Sequence, residues 1–336
     1  MKQFCILRLS ALGDCCHALS VVQNLRKEFP DSEITWIIGK TEHQLFKGLK
    51  EIEFIVIDKS NLLRSLMNCF FQLRKRKFDV LLNLHASANA NLTSLCVRAE
   101  RKIGFDKERA RDGQNWFCTE SIPAIPNQHV VEGMMCFLKH LHIEGSLPKW
   151  EPLVLKPEEN HMRRYINTET QTCVISPCSS QRYGDKYNRS WQPANFIEII
   201  KYLSEKKGIQ TIITGGTSAI EKKYLEIFNS HDLGQNIINL MGETTIREMA
   251  ALIKMSDFIL SPDSGPAHIA TIMGKPVIGL YAMSNPDRTG PYKSRQLVVN
   301  RYPDALFHFL GKSVAEVKWG QKVKSSEAME LIQPAD

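Results

Sequence analysis

The chain has 336 residues, 43% of them hydrophobic and 24% charged, with a formal net charge of +7. That length exceeds one ordinary core and points to two domains, and the composition is that of a soluble globular protein. No apolar stretch approaches the ~18 residues of a membrane span, while the positive surplus suits nucleic acid, anionic membrane surfaces or phosphorylated substrates without choosing among them.

Phe4-Cys5-Ile6-Leu7 opens a strand predicted over 3–9. No basic segment, apolar segment and cleavage site precede it, so the expectation is a cytoplasmic chain that keeps its whole sequence. Further strands are predicted at 33–38, 53–57 and 79–84. Helical spacing appears over 14–28, through Ala18, Leu19, Val22 and Leu25, and over 61–76, through Leu62, Leu66, Phe70 and Leu73. Short apolar runs separated by helices indicate a parallel sheet. From 107 to 130 the pattern dissolves; 131–144 reads as a helix, and "EGSLPKWEPLVLKPEEN" (144–160), with three prolines, as an interdomain linker.

The second half repeats the alternation: strand 171–176, helix 193–207, strand 209–214, helix 218–229, strand 236–240, helix 245–255, then strand, loop, helix and strand over 257–281. No short repeat or low-complexity segment occurs. The expected fold class is α/β, two Rossmann-like parallel-sheet domains, whose ligands bind outside the carboxyl ends of the strands. The expected boundaries are 1–155, 156–322, and a tail 323–336 whose "KSSEAMELI" forms a helix packing back on the first domain. The nine cysteines form no CxxC pair, which fits free thiols in a reducing compartment and no structural zinc. Cys15-Cys16-His17 has the composition of a metal cluster, but adjacent helical residues point apart, so core packing is the preferred reading.

Four segments carry chemistry. Asp14 stands where the first strand turns through Gly13 into the first helix. It reads either as a helix-start carboxylate favoured by the dipole or as a general base at a ligand site. Neither GxGxxG nor GxxxxGK[ST] is present, against a dinucleotide or P-loop site. "SPDSGPAHIA" (261–270) ends a strand and starts a helix. Its N–H groups suit phosphate, Asp263 suits sugar hydroxyls, and His268 lies about one turn on; a capped helix with a satisfied histidine is the alternative. "SPCSSQRYGDKYNRSWQP" (176–193) offers Ser179, Ser180, Arg182, Lys186 and Arg189, hydroxyls and cations suited to a diphosphate, or simply a loop surface. In "TGGTSAIE" (214–221), Glu221 reads as a ligand or as helix-start charge. Together they describe transfer from a nucleotide sugar: one carboxylate deprotonates an acceptor while a diphosphate leaves the opposite face, stabilised by Arg189 and a helix start.

"RLSALGDCCHALSVVQNLRKEFP", "FDVLLNLHASANANLTSL" (78–95), "RKIGFD" (101–106), the loop ending Arg189-Ser190-Trp191-Gln192-Pro193 and "DFILSPDSGPAHIATIMGKPVIGLYAMSNPD" resemble glycosyltransferase family 9, the bacterial ADP-heptose:lipopolysaccharide heptosyltransferases, over about residues 3 to 290. The likeness is strongest to those that add the first heptose. The resemblance implies a GT-B fold with an interdomain cleft, and inverting transfer of L-glycero-D-manno-heptose from ADP-heptose with no bound metal or other cofactor. It makes Asp14 the base and Ser179, Ser180, Arg189, Asp263, Ser264, Gly265 and His268 donor-side residues. Glu221 matches a ribose- or adenine-side glutamate in one of two registers. Pro266 and the glycine-less "YAMSNPD" (281–287) depart from the pattern.

The implied acceptor is Kdo-lipid A at the cytoplasmic face of the inner membrane, with peripheral association there. Lys59, Arg64, Arg98, Arg101 and Arg109 are candidates for Kdo carboxylates and phosphates, or ordinary solvated surface. The alternatives are a GT-B transferase using another nucleotide sugar or a later core acceptor, and a non-catalytic nucleotide-sugar-binding protein. Nucleic-acid binding through Arg74-Lys75-Arg76-Lys77 is disfavoured because no aromatic residues interleave that run. No protein partner is expected.

Overall fold

Strands buried on both faces need helices on both sides, and the two halves of the chain each solve that problem in the same way. The computed structural model describes residues 1–143, 145–179 and 187–336. It divides into two units, Met1–Val154 and Leu155–Asp336.

The first unit runs β1 (Gln3–Leu7), α1 (Leu12–Glu28), β2 (Glu33–Gly39), α2 (Lys40–Phe46), β3 (Ile52–Ile57), α3 (Leu62–Leu73), β4 (Phe78–Asn83), α4 (Ala88–Ser94), β5 (Ala99–Gly104), β6 (Glu120–Ser121) and α5 (Val130–His140). Its six strands lie in the order β3-β2-β1-β4-β5-β6, all parallel. Phe4 to Leu7 are buried from end to end, as a central parallel strand requires.

The second unit runs α6 (Lys156–Met162), β7 (Thr172–Ile175), α7 (Pro193–Lys201), β8 (Gln210–Gly215), α8 (Ala219–Asn229), β9 (Ile237–Met241), α9 (Ile246–Met255), β10 (Phe258–Pro262), α10 (Gly265–Ile272), β11 (Val277–Tyr281), α11 (Pro286–Thr289), β12 (Val298–Asn300) and α12 (Tyr302–Leu310). Its sheet has the order β12-β11-β10-β7-β8-β9. In each sheet the winding direction reverses once, between β1 and β4 and between β7 and β10. Loops leaving those strand ends diverge and open the crevice where doubly wound sheets bind ligands.

The segment predicted as an interdomain linker contains the boundary between the two units, which falls between Val154 and Leu155, and its first part is tied to α1. The backbones of Lys149 and Glu151 exchange hydrogen bonds with the side chains of Ser20 and Gln23 of α1, and Trp150 Nε1 donates to the Cys16 carbonyl at 2.8 Å. The tail, expected to pack on the first domain, belongs to the second unit: Val323, Ala328, Met329 and Ile332 lie in that unit's core, and Ser326–Leu331 is a 3-10 helix. Trp191 holds it, its Nε1 donating to the Ile332 carbonyl at 3.0 Å. Phe70 does not face the core, where Ser65, Cys69 and Leu73 line the buried side of α3 instead. Strand β5 lay in no predicted element, because Glu100, Arg101 and Lys102 interrupt any apolar run. Cys15 and Cys16 are both fully buried in α1, consistent with core packing.

Trp191→Ala is expected to destabilise the protein by about 3–5 kcal/mol in urea unfolding. Trp191→Phe, which retains a ring able to pack on Phe196 but loses the hydrogen bond to Ile332, should cost substantially less.

Candidate functional site

Several of the residues singled out from sequence gather in two groups, one at the reversal point of each sheet. In the first unit, β1 ends at Leu7, which lies in register with Ile37 of β2 and Asn83 of β4. Arg8 follows, largely buried, and its Nη1 donates to the Leu84 carbonyl at 2.5 Å. Its other nitrogen, Nη2, forms an ion pair with Asp14 Oδ2. Asp14 sits in the first turn of α1, where its Oδ2 also accepts from the Ala11 N–H at 3.3 Å. The helix-start reading of Asp14 is therefore true as geometry, and the carboxylate is held in one orientation at the carboxyl end of the sheet.

Around this pair stand groups from three other loops. The Leu9 N–H donates to His85 Nδ1 at 3.2 Å, fixing the tautomer in which Nδ1 accepts. Lys59 Nζ donates to Ser10 Oγ. Glu42, at the start of α2, is raised above its ordinary value chiefly by burial, with a smaller push from Asp14, against the pull of its backbone hydrogen bond, Lys59 and Arg8. Gly39 is required here: a Cβ on it would lie 2.3 Å from the Leu9 carbonyl oxygen and 2.4 Å from Glu42 Oε2.

Of the acceptor-side candidates, Lys59 joins this group and Arg64 is exposed on α3. Arg98 donates to the Arg74 carbonyl beyond the end of α3, at 3.4 Å. Arg101 and Arg109 serve elsewhere. Arg101 lies opposite Val80, three residues short of the end of β4. It grips both Glu120 oxygens at 2.7 Å, while His140 lies 2.8 Å from Glu120 Oε2. The Arg101 bond, with help from His140, holds the Glu120 carboxyl down to about 2. Arg109 braces its own loop through Asp106, Gln128 at 2.9 Å and the Pro123 carbonyl at 2.8 Å.

In the second unit, Asp263 follows β10 and is nearly buried. Its Oδ2 accepts from Arg189 Nη1 at 2.8 Å and from Ser284 Oγ at 2.6 Å. After β7, Ser179 is tied to Asn188 and Arg189: its Oγ accepts from the Arg189 N–H at 3.0 Å and donates to Asn188 Oδ1 at 2.9 Å. Ser264 precedes α10 and its Oγ lies 2.8 Å from Ser261 Oγ, while Gly265 begins the helix and His268 is buried within it. The start of α10 thus presents its first N–H groups beside a carboxylate and a guanidinium, though Pro266 withholds one. Ser180, Arg182 and Lys186 lie outside the described residues.

Glu221 shows the structural role of its two readings. Its carboxylate accepts from Gly216 N–H at 2.6 Å, Ser218 N–H at 3.0 Å and Ser218 Oγ at 2.5 Å, closing the start of α8. Sequence reasoning missed Arg8, His85, Glu42 and Ser284. A cation directly after an apolar strand was a readable signal for Arg8; Ser284, 21 residues beyond Asp263, had none.

A family model described as glycosyltransferase family 9 (heptosyltransferase) matches residues 67–308. The lipopolysaccharide core heptosyltransferase OpsX of Haemophilus influenzae is 36% identical over 334 residues, covering 99% of this chain and 94% of that protein. Among solved structures, the glycosyl transferase family 9 protein of Veillonella parvula superposes with a TM-score of 0.78 at 19% identity, over 99% of this chain and 94% of that one. The Escherichia coli heptosyltransferase WaaC, solved with ADP, gives 0.68 at 16% identity, over 89% and 93%. At such identities the two structures speak for the fold, and the fold is GT-B.

The Arg8–Asp14 pair makes a thermodynamic prediction. Arg8→Ala should cost about 2–4 kcal/mol in urea unfolding, since it removes the partner of a partly buried carboxylate. Arg8→Ala/Asp14→Ala should recover roughly 1–3 kcal/mol of the summed single losses, whereas strictly additive losses would show that the two side chains are not coupled.

Proposed function

From the premise that the chain belongs to glycosyltransferase family 9, the heptosyltransferases, we propose that it transfers L-glycero-D-manno-heptose from ADP-heptose, with inversion, to Kdo of Kdo-lipid A. It is a heptosyltransferase of the lipopolysaccharide core, and the first transfer onto Kdo is the step that this reading assigns to it. The observation that carries the reading is the pairing of Arg189 with Asp263 beside the start of α10. A guanidinium, helix N–H groups and a nearly buried carboxylate meet there, the combination that a sugar diphosphate calls for.

In this reading an acceptor hydroxyl oxygen attacks C1 of the heptose as its proton passes to Asp14. The bond from C1 to the diphosphate oxygen breaks with its electron pair, and ADP leaves carrying the negative charge. Arg189 and the start of α10 stabilise that charge as it develops. Ser179 acts on Arg189, holding its backbone through the 3.0 Å bond. Asp263, oriented by Ser284 and Arg189, accepts from hydroxyls of the sugar. Arg8 holds the Asp14 carboxylate toward the acceptor, and Lys59 and His85 extend the polar surface that receives it. Association with an anionic membrane surface follows from an acceptor embedded in lipid; no helix among the described residues is long and apolar enough to cross a membrane.

The test is to incubate purified protein with ADP-heptose and Kdo-lipid A and follow the acceptor mass. One added heptose is expected. Asp14→Asn should lower kcat by about 10²–10⁴-fold while ADP binding stays unchanged. Full turnover in Asp14→Asn would remove the base assignment, and transfer only to an acceptor already carrying heptose would move the enzyme to a later core step.

A further inference from the structure

Helix α3 carries more apolar residues than its core face can take. At 100° per residue, Leu62, Ser65, Leu66, Cys69 and Leu73 form one stripe, and these are the buried and half-buried positions. Leu63, Met67, Phe70 and Phe71 form a second stripe on roughly the opposite side, and they are 79, 60, 50 and 56% exposed. Leu95, in the segment fastened to α3 by Cys96 Sγ donating to the Leu66 carbonyl and Arg98 to that of Arg74, is also exposed.

Cations border this stripe. Arg74 stacks over the Phe71 ring at 5.3 Å, and Arg64 and Lys75 are exposed with no carboxylate partner among the described residues. Only the far end of the basic run is neutralised, Arg76 by Glu53 and Lys77 by Glu100. The surface is the convex side of a helix and not a groove, so it lacks the concave shape that grips a partner helix or peptide. Exposed Phe, Leu and Met flanked by unpaired Arg and Lys is the chemistry of a helix lying in a lipid–water interface.

We propose that the outer face of α3 docks on an anionic phospholipid bilayer, with Phe70 and Phe71 entering the acyl boundary and Arg64, Arg74 and Lys75 meeting phosphate headgroups. The surface itself is independent of the acceptor; its use in the reaction rests on the reading above, because docking there brings the enzyme to a lipid-embedded acceptor.

The experiment is co-sedimentation of the full chain with phosphatidylethanolamine–phosphatidylglycerol vesicles and with vesicles of phosphatidylcholine alone. Wild type is expected to partition onto the anionic vesicles, weakly onto the neutral ones, and less as salt rises. Lys75→Glu should weaken the anionic binding at least about fivefold, the contribution of one surface cation. Phe70→Ser/Phe71→Ser should weaken it tenfold or more while leaving heptose transfer to a deacylated, water-soluble acceptor unchanged. Wild type that stays in the supernatant, or a double variant that sediments like wild type, overturns the proposal. So does a dimer in sedimentation velocity that the double variant dissolves, which would make the face a contact between copies. If no acceptor takes heptose but vesicle binding depends on Phe70 and Phe71, the docking surface stands and the acceptor assignment falls.

Discussion

A parallel strand covered on both faces has no room for a charge along its length, so charged groups collect where the strand stops. Residues 4 to 7 of β1 are buried, and the first position past the strand holds Arg8, whose cation bonds the Leu84 carbonyl and Asp14. The second sheet follows the same rule: β10 is buried through Pro262, and Asp263 is the next residue. The reversal of strand order then keeps neighbouring loops from covering those ends. Polar chemistry is placed there by exclusion from everywhere else.

Both groups of residues use one device, a carboxylate steered by a guanidinium. Asp14 is held by the Arg8 that precedes it on the same strand–turn–helix unit, and Asp263 by Arg189 from a loop 74 positions away in sequence. The difference has consequences. Arg8 is anchored by its own strand and by a carbonyl of the next, so Asp14 has little freedom. Arg189 is placed by the Ser179–Asn188–Ser190 hydrogen bonds. A fixed carboxylate suits proton transfer, which demands a set distance. In the proposed mechanism, that cation on a loop meets a leaving group that arrives and departs with every turnover.

The sheets were legible in the sequence wherever strands are buried on both faces. EITWII and DVLLNL read as strands because nothing polar interrupts their apolar character for long. β5 was not, since Glu100, Arg101 and Lys102 stand in a row and only its end is buried. Asp14, Arg189 and Asp263 were legible because each sits at a strand end or just before a helix. Glu42 and Ser284 were invisible, because their relevance comes from loops that meet only in the folded chain. Phe70 was misassigned for a different reason. Apolar residues at helical spacing identify a helix, but two such stripes on one helix leave open which of them faces the core, and small Ser65 and Cys69 marked the true side.

The charge balance of the first unit's group follows from these placements. Arg8 and Lys59 face two carboxylates, Asp14 and Glu42, which would be neutral overall if both were ionised. Burial works against that: it raises Glu42 against the pull of its own backbone hydrogen bond and of both cations. Asp14 is paired with Arg8 through a charge-assisted bond. In the proposed mechanism, the cations Arg8 and Lys59 offset the negative charge that Asp14 would present to an anionic acceptor.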